Sequence, residues 1–436
     1  MKARYLLCAV VLIAACAPSS STTSMTVGTT AAPSSTTSTT TEPSTSTTLP
    51  PGTEELPEAL REDVARLIGV TQELRGLEFV SQPKITVVTD EELAERVRTQ
   101  IQEDYVDADV DEALYKLLGL VEPTFDLRQT VSDLYGEQVA GYYDGETEEL
   151  VVPARDNELT ILQEVTLVHE LTHALTDQVL DFHPRFTAMH DEDRFDEASA
   201  FQALIEGDAS FTEILFVEQM TPGEQRQFLE EAFAIDTSLP PGIPQFIEDS
   251  LVFPYEAGFG FVAGIHDDGG FTSVDEAYAS PPLSTEQILN PSAYLEDLPQ
   301  PVDLPTGLLE GYEVSYGSTW GELGFRLIFD QELGGEDDAA EGWGGDAYDL
   351  YFNGTDVAMI LLYEGDQESD SDEMYEALRE YVTEAMDTGE PVADGSGFSF
   401  SGSDFAFVSL SGDTVAWVVA GDPVVGATLR SWLADF

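Results

Sequence analysis

The chain has 436 residues, 42% of them hydrophobic, which allows a sizeable core and two or three domains. Its 84 acidic and 17 basic residues give a formal net charge of −67, which repels a phosphate backbone and excludes nucleic acid as a partner. That charge also repels itself in the compact state and is relieved by salt, so adaptation to a saline surrounding is expected.

Lys2 and Arg4 precede an apolar run from Tyr5 to Ala15. The run is short for a membrane span and has the form of an export signal. It ends Leu12-Ile13-Ala14-Ala15-Cys16, and small residues before a cysteine resemble the bacterial lipobox. Residues 1–16 therefore read as a lipoprotein signal, with cleavage before Cys16 and lipidation at Cys16. Residues 17–53 are almost wholly Ser, Thr, Pro and Ala. They have almost nothing to bury and read as a disordered tether. An extracytoplasmic body held to the membrane through Cys16 is the expected arrangement, and it is read as a monomer. Cys8 and Cys16 are the two cysteines of the chain. The folded body must therefore bind any metal with His, Asp and Glu.

Glu54 to Leu77 has helical spacing at Leu60, Val64, Leu67 and Ile68. Lys84 to Thr89 reads as a strand, and Thr89 or Asp90 as the cap of a following helix. A helical region around Glu112 to Leu118 ends at Gly119. Glu137 to Tyr143 and Glu149 to Val152 read as two strands about an Asp144-Gly145 turn. Such an edge can pair with an extended peptide through its main chain. Ala140, Gly141 and Tyr142 are the candidate substrate-binding residues; a purely structural hairpin is the other reading.

His169-Glu170-Leu171-Thr172-His173 is a His-Glu-x-x-His sequence, the zinc-peptidase helix pattern. Two of the five histidines of the chain sit in it. With His169 at zero on a helical wheel, His173 lies near 40°, Asp177 near 80° and Glu170 near 100°. Leu167, Val168, Leu171, Ala174, Leu175 and Val179 span roughly 140° to 280°. One face can enter a core while the other presents two imidazoles and two carboxylates. Both imidazoles can reach one Zn2+ ion, and Glu170 can act as general base toward water.

A third ligand must come from elsewhere, since Thr176 and Val179 stand where metzincins need Gly and His. Asp196 to Met220 reads as a helix in which Ser199, Gln202, Ala203, Ser210 and Glu213 share a side with Glu206. Glu197 falls about 180° away on a continuous helix. Glu206 is favoured over Glu197 as ligand, although Gly207 is able to interrupt the helix. His183 and His190 are lesser candidates. Asp177 or Asp208 is expected to orient a ligand imidazole. The small residues beside Glu206 would let its helix approach the motif helix closely.

His169 to Asp177 resembles the active helix of thermolysin-like gluzincins. Ala203-Leu204-Ile205-Glu206-Gly207-Asp208-Ala209 resembles the ligand helix of poorly characterised bacterial metallopeptidase lipoproteins. Tyr135 to Asp144 and Pro281 to Leu289 are similar to further segments of those proteins. The resemblance spans roughly 130–295. It implies a zincin-like, zinc-dependent peptidase with His169, His173 and Glu206 as ligands and Glu170 as base, acting on a peptide or protein. The departure is Ser210, where thermolysin-like enzymes carry Asp four residues after the ligand Glu.

Asp249 to Gly264 reads as a buried helix near the site. Tyr255, His266 and Tyr294 are candidate donors to an oxyanion, each with an ordinary structural alternative. Ser284-Thr285-Glu286-Gln287 resembles a capping box. Beyond about Pro305, Asp349 to Phe352 and Val357 to Tyr363 read as strands around Asn353-Gly354-Thr355. A helix at Asp372 to Met386 and strands at 398–400, 405–410 and 414–419 follow, and Trp343-Gly344-Gly345-Asp346 reads as a turn. The expected fold is α+β: a mainly helical peptidase domain with a small sheet over 54–304, then a small α+β unit over 305–436. A zinc-binding lipoprotein without activity, or a ligand-binding or adhesion lipoprotein, is the alternative function.

Overall fold

The computed structural model describes residues 7–10, 56, 58–153, 158–234, 242–305, 307, 309–334 and 339–433. Cys16 and the tether expected at 17–53 lie outside them. The fold is α+β. Among the described residues, no helix is long and apolar enough to cross a membrane.

The chain first forms β1 (Leu7–Val10), α1 (Glu58–Arg75), β2 (Lys84–Val88), α2 (Asp90–Asp104), α3 (Ala108–Leu117) and α4 (Leu127–Gln138). Thr89, one of the two caps the local sequence offers, caps α2 in a capping box with Glu92. Helix α4 runs straight into β3 (Val139–Asp144), followed by β4 (Glu149–Pro153). Glu137 and Gln138, expected in the strand, therefore close the helix instead. The sheet order is β1-β3-β4-β2, with β3 antiparallel to β4 and β2 parallel to it. Strand β1, within the apolar run from Tyr5 to Ala15, lies antiparallel along the outer edge of β3, with Ala9 opposite Gly141.

Next come α5 (Ile161–Leu180), α6 (His183–Asp191), α7 (Phe195–Gln219) and α8 (Pro222–Ala232). They are followed by α9 (Gln245–Gly269), α10 (Phe271–Ala279) and α11 (Thr285–Leu289). A capping box of Thr160 and Gln163 starts α5, and Asp181, left-handed at φ 55°, ends it. Helix α7 is continuous through Gly207. A Cβ on Gly207 would stand 2.2 Å from the Gly258 carbonyl oxygen of α9, and one on Gly258 would stand 2.0 Å from the Ala203 oxygen. The small residues on α7 thus let α9 come close to it, and α5 also packs against α7 with its imidazoles beside Glu206.

The C-terminal unit comprises β5 (Glu313–Ser318), α12 (Gly321–Leu333), β6 (Trp343–Phe352), β7 (Val357–Gly365) and α13 (Glu368–Ala385). It ends with β8 (Val392–Asp394), β9 (Gly397–Ser401), β10 (Phe405–Ser411), β11 (Thr414–Ala420) and α14 (Pro423–Trp432). Its seven strands run β5-β6-β7-β11-β10-β9-β8, each antiparallel to its neighbours. Trp343 to Asp346, expected as a turn, is the bulged start of β6. Glycine is required there: a Cβ on Gly345 would meet the Gln300 oxygen at 2.3 Å.

The two units share a core. Val110, Leu114 and Leu118 pack with Phe329, Tyr381 and Trp417 of the C-terminal unit. Tyr381 donates to the Leu118 carbonyl at 2.8 Å. The junction is also polar. Buried Asp196, at the start of α7, accepts the backbone N–H of Thr285 at 3.2 Å and its hydroxyl at 2.6 Å. Asp196 therefore serves the first turn of α11, while Ser284 makes no side-chain cap bond. The capping box expected at Ser284 is replaced by a carboxylate from another helix.

Candidate metal centre

Helix α5 is buried on every side from Val165 to Thr176. Its polar stripe faces protein rather than solvent: His169 is 3% exposed, His173 1%, and Glu170 and Glu206 0%. Helices α5 and α7 bring both imidazoles to one carboxylate. His169 Nε2 lies 3.1 Å from Glu206 Oε2, and His173 Nε2 lies 3.3 Å from the same oxygen. The two rings stand edge to face with centroids 4.7 Å apart. Of the two carboxylates considered, Glu206 is the one in the group; Glu197 pairs with Arg194 at 2.5 Å instead.

These residues fit a metal. Donors held by one tetrahedral ion at about 2.0–2.2 Å stand about 3.3–3.6 Å apart, close to the two distances found here. His173 Nδ1 and Nε2 and Glu206 Oε1 are buried without hydrogen bonds, a costly state unless something else engages them. Burial works against charge on His169, yet hydrogen bonds to Glu206 and Glu213 outweigh it and push its pKa up to about 10. Burial holds His173 below the ordinary value. Burial would raise Glu206, but both imidazoles oppose it and leave it at about 2. Beside the ionised Glu206, His169 thus holds a proton where a metal ion would supply the positive charge.

The group that orients His169 is Glu213, whose Oε2 lies 3.2 Å from Nδ1. Glu213 stands seven residues after Glu206, on the same wheel face, but only the folded packing shows which ring it meets. Asp177 and Asp208 do other work. Asp177 accepts Tyr143 Oη–H at 2.8 Å and His183 N–H at 2.9 Å, tying α5 to β3. Asp208 faces Arg75, whose Nε lies 2.8 Å and 3.0 Å from its two oxygens. Arg75 also reaches Asp275 at 2.6 Å and lies over the Phe271 ring. Neither aspartate meets a ligand imidazole, because each is already engaged on another face.

Of the expected oxyanion donors, Tyr255 is near the site, its ring 6.3 Å from that of His169. His266 packs on Phe211 and Phe271, and Tyr294 donates to the Ser280 carbonyl. His183 lies over the turn at Gly145, and His190 packs edge-on to Phe186. Neither belongs to the triad.

Strand β3 runs beside α5. A Cβ on Gly141 would be 3.5 Å from Thr166, one turn before Glu170. Tyr142, an expected substrate contact, turns its side chain the other way, into a small core with Val88, Leu93 and Val97. Only its backbone can serve a bound peptide. A cavity of about 530 Å³ lies between the units and is lined by Gln202 on α7, but it stops short of Glu206. Ligand chemistry, rather than this void, marks the centre.

Residues 311–429 match the family model of a domain of unknown function (DUF8575). The match covers the C-terminal sheet and none of His169, His173 and Glu206. No curated protein and no solved structure matches the chain.

Proposed function

We propose that the chain is a zinc-dependent peptidase, extracytoplasmic and tethered to the membrane through Cys16. The observation that carries the reading is the convergence of His169, His173 and Glu206, buried and in metal-binding proximity, on a His-Glu-x-x-His helix. Zinc, when bound there, supplies Lewis acidity toward a carbonyl oxygen and toward water. Glu170, the next residue on the helix, accepts a proton from the attacking water at its carboxylate and returns it to the departing amine. Glu213 fixes His169 through Nδ1. Tyr255, whose ring lies 6.3 Å from that of His169, would supply a hydroxyl to an oxyanion. The outer edge of β3 offers backbone groups to an extended peptide, and β1 already lies along it as an antiparallel strand. Loss of the leader would free that edge.

The near-complete burial of the triad favours one other reading, a zinc site that holds structure without hydrolysis. The partly exposed Glu213, 27% exposed at its side chain, marks the side from which solvent approaches. The Glu170→Gln variant separates the two. The peptidase reading expects it to keep zinc and lose cleavage of a peptide library that the wild type cuts. Zinc-loaded wild type that cuts nothing would establish the non-catalytic reading.

A further inference from the structure

We propose that Glu286, Asp297 and Asp366 form a calcium site that clamps the C-terminal unit to the helical unit. Their carboxylate oxygens lie within 4.8 Å of one another. Two oxygens on opposite sides of one calcium ion stand about 4.6–5.2 Å apart, so a shared ion fits. The donors are all hard oxygens, which suits calcium better than zinc. The three come from separate segments. Glu286 lies in α11, Asp297 in the segment after it, and Asp366 between β7 and α13. Along α7, Asp196 lies about 15 Å from Glu206, and it is Asp196 that holds Thr285 beside Glu286. The cluster is thus distinct from the zinc triad.

Glu286 is the residue that points to an ion. It is 6% exposed, and its carboxylate is directed at Asp297 and Asp366. Among the described residues, no hydrogen-bond donor or cationic side chain pairs with it. The charged groups acting on it are acidic: Asp297, Asp366, Glu322 and Asp196. Arg326, the nearby cation on α12, is taken by Glu322 at 2.6 Å. A buried carboxylate among carboxylates is costly. A divalent cation removes that cost, and exposed Asp366 leaves room for water to complete the coordination.

The backbone keeps the segments in place without an ion. Gln300 N–H donates to the Gly344 carbonyl at 2.7 Å, and Asp366 N–H donates to the Gly342 carbonyl at 2.9 Å. Gln287 holds Leu283 and Asp297 through its side-chain amide. Asp366 falls within the matched domain at 311–429, whereas Glu286 and Asp297 precede it. The ion would therefore bridge that domain and the chain to which it is joined.

The test titrates the full-length chain with calcium by calorimetry and by thermal melting, in high NaCl to screen diffuse attraction to the acidic surface. One saturable calcium site per chain is expected, with a rising melting midpoint that magnesium does not reproduce. Glu286→Gln and Asp366→Asn should each lower calcium affinity roughly tenfold or more. A calcium effect no larger than that of NaCl at equal ionic strength, or one retained in both variants, overturns the proposal. Glu206→Ala should leave the calcium titration unchanged; loss of calcium binding there would put the ion in the triad and also overturn it.

Discussion

Gly258→Ala tests whether the close approach of α7 and α9 sets the position of Glu206. The added Cβ would stand 2.0 Å from the Ala203 carbonyl oxygen, while ordinary contact begins at 3.4 Å, a deficit of 1.4 Å. The obstacle is helix backbone, which cannot rotate aside as a side chain can. The helices must separate, and overpacking of this kind costs about 1–3 kcal/mol. Alanine returns about 1 kcal/mol of helix propensity. The net expectation is a loss of up to about 2 kcal/mol, with α7 pushed from its seat and the affinity for zinc lowered. Gly260→Ala on the same helix is the control, since nothing lies within 4 Å of its added Cβ. It gains the propensity term alone, about 0.5–1 kcal/mol. Urea unfolding of both variants, with zinc content measured in parallel, gives the comparison. Equal stability of the two variants would refute the reasoning.

Asp208→Ala leaves buried Arg75 without its main partner, and a loss of about 3–5 kcal/mol is expected in denaturant melts. A loss below about 1 kcal/mol would show that the pair carries little. Burial, with repulsion from Asp346 and Glu322, pushes Asp196 up to about 8, against about 4 in the unfolded chain. Its contribution is full below pH about 4 and is lost as pH rises through about 8, so stability should fall across that window. Asp196→Asn should flatten the slope; an unchanged slope would remove Asp196 as its source. With a formal charge of −67, the melting midpoint should rise steeply from low to high salt, and indifference to salt would contradict that expectation.

Local signals carried much of the fold. Thr89 and Glu92 announce a helix start, and the facing of His169 and His173 follows from the helical period. Glu206 was separable from Glu197 because nine residues of continuous helix turn the two apart. Contacts between distant segments were not legible. Arg75 and Asp208 are 133 residues apart, and no periodicity announces their pairing. Asp208 and Asp177 therefore suggested a role at the imidazoles that Glu213 holds. The glycines of Trp343-Gly344-Gly345-Asp346 suggested a turn, yet they serve close packing against Gln300 within a strand. Likewise, nothing local indicates that Val110 and Leu114 share a core with Trp417.

The central claim is that His169, His173 and Glu206 hold one zinc ion. Elemental analysis of the purified wild type, Glu197→Ala and Glu206→Ala chains tests it most directly. One zinc per chain in the wild type and in Glu197→Ala, with loss in folded Glu206→Ala, is the predicted result. Zinc retained at full stoichiometry in Glu206→Ala, or lost in Glu197→Ala, would contradict the assignment.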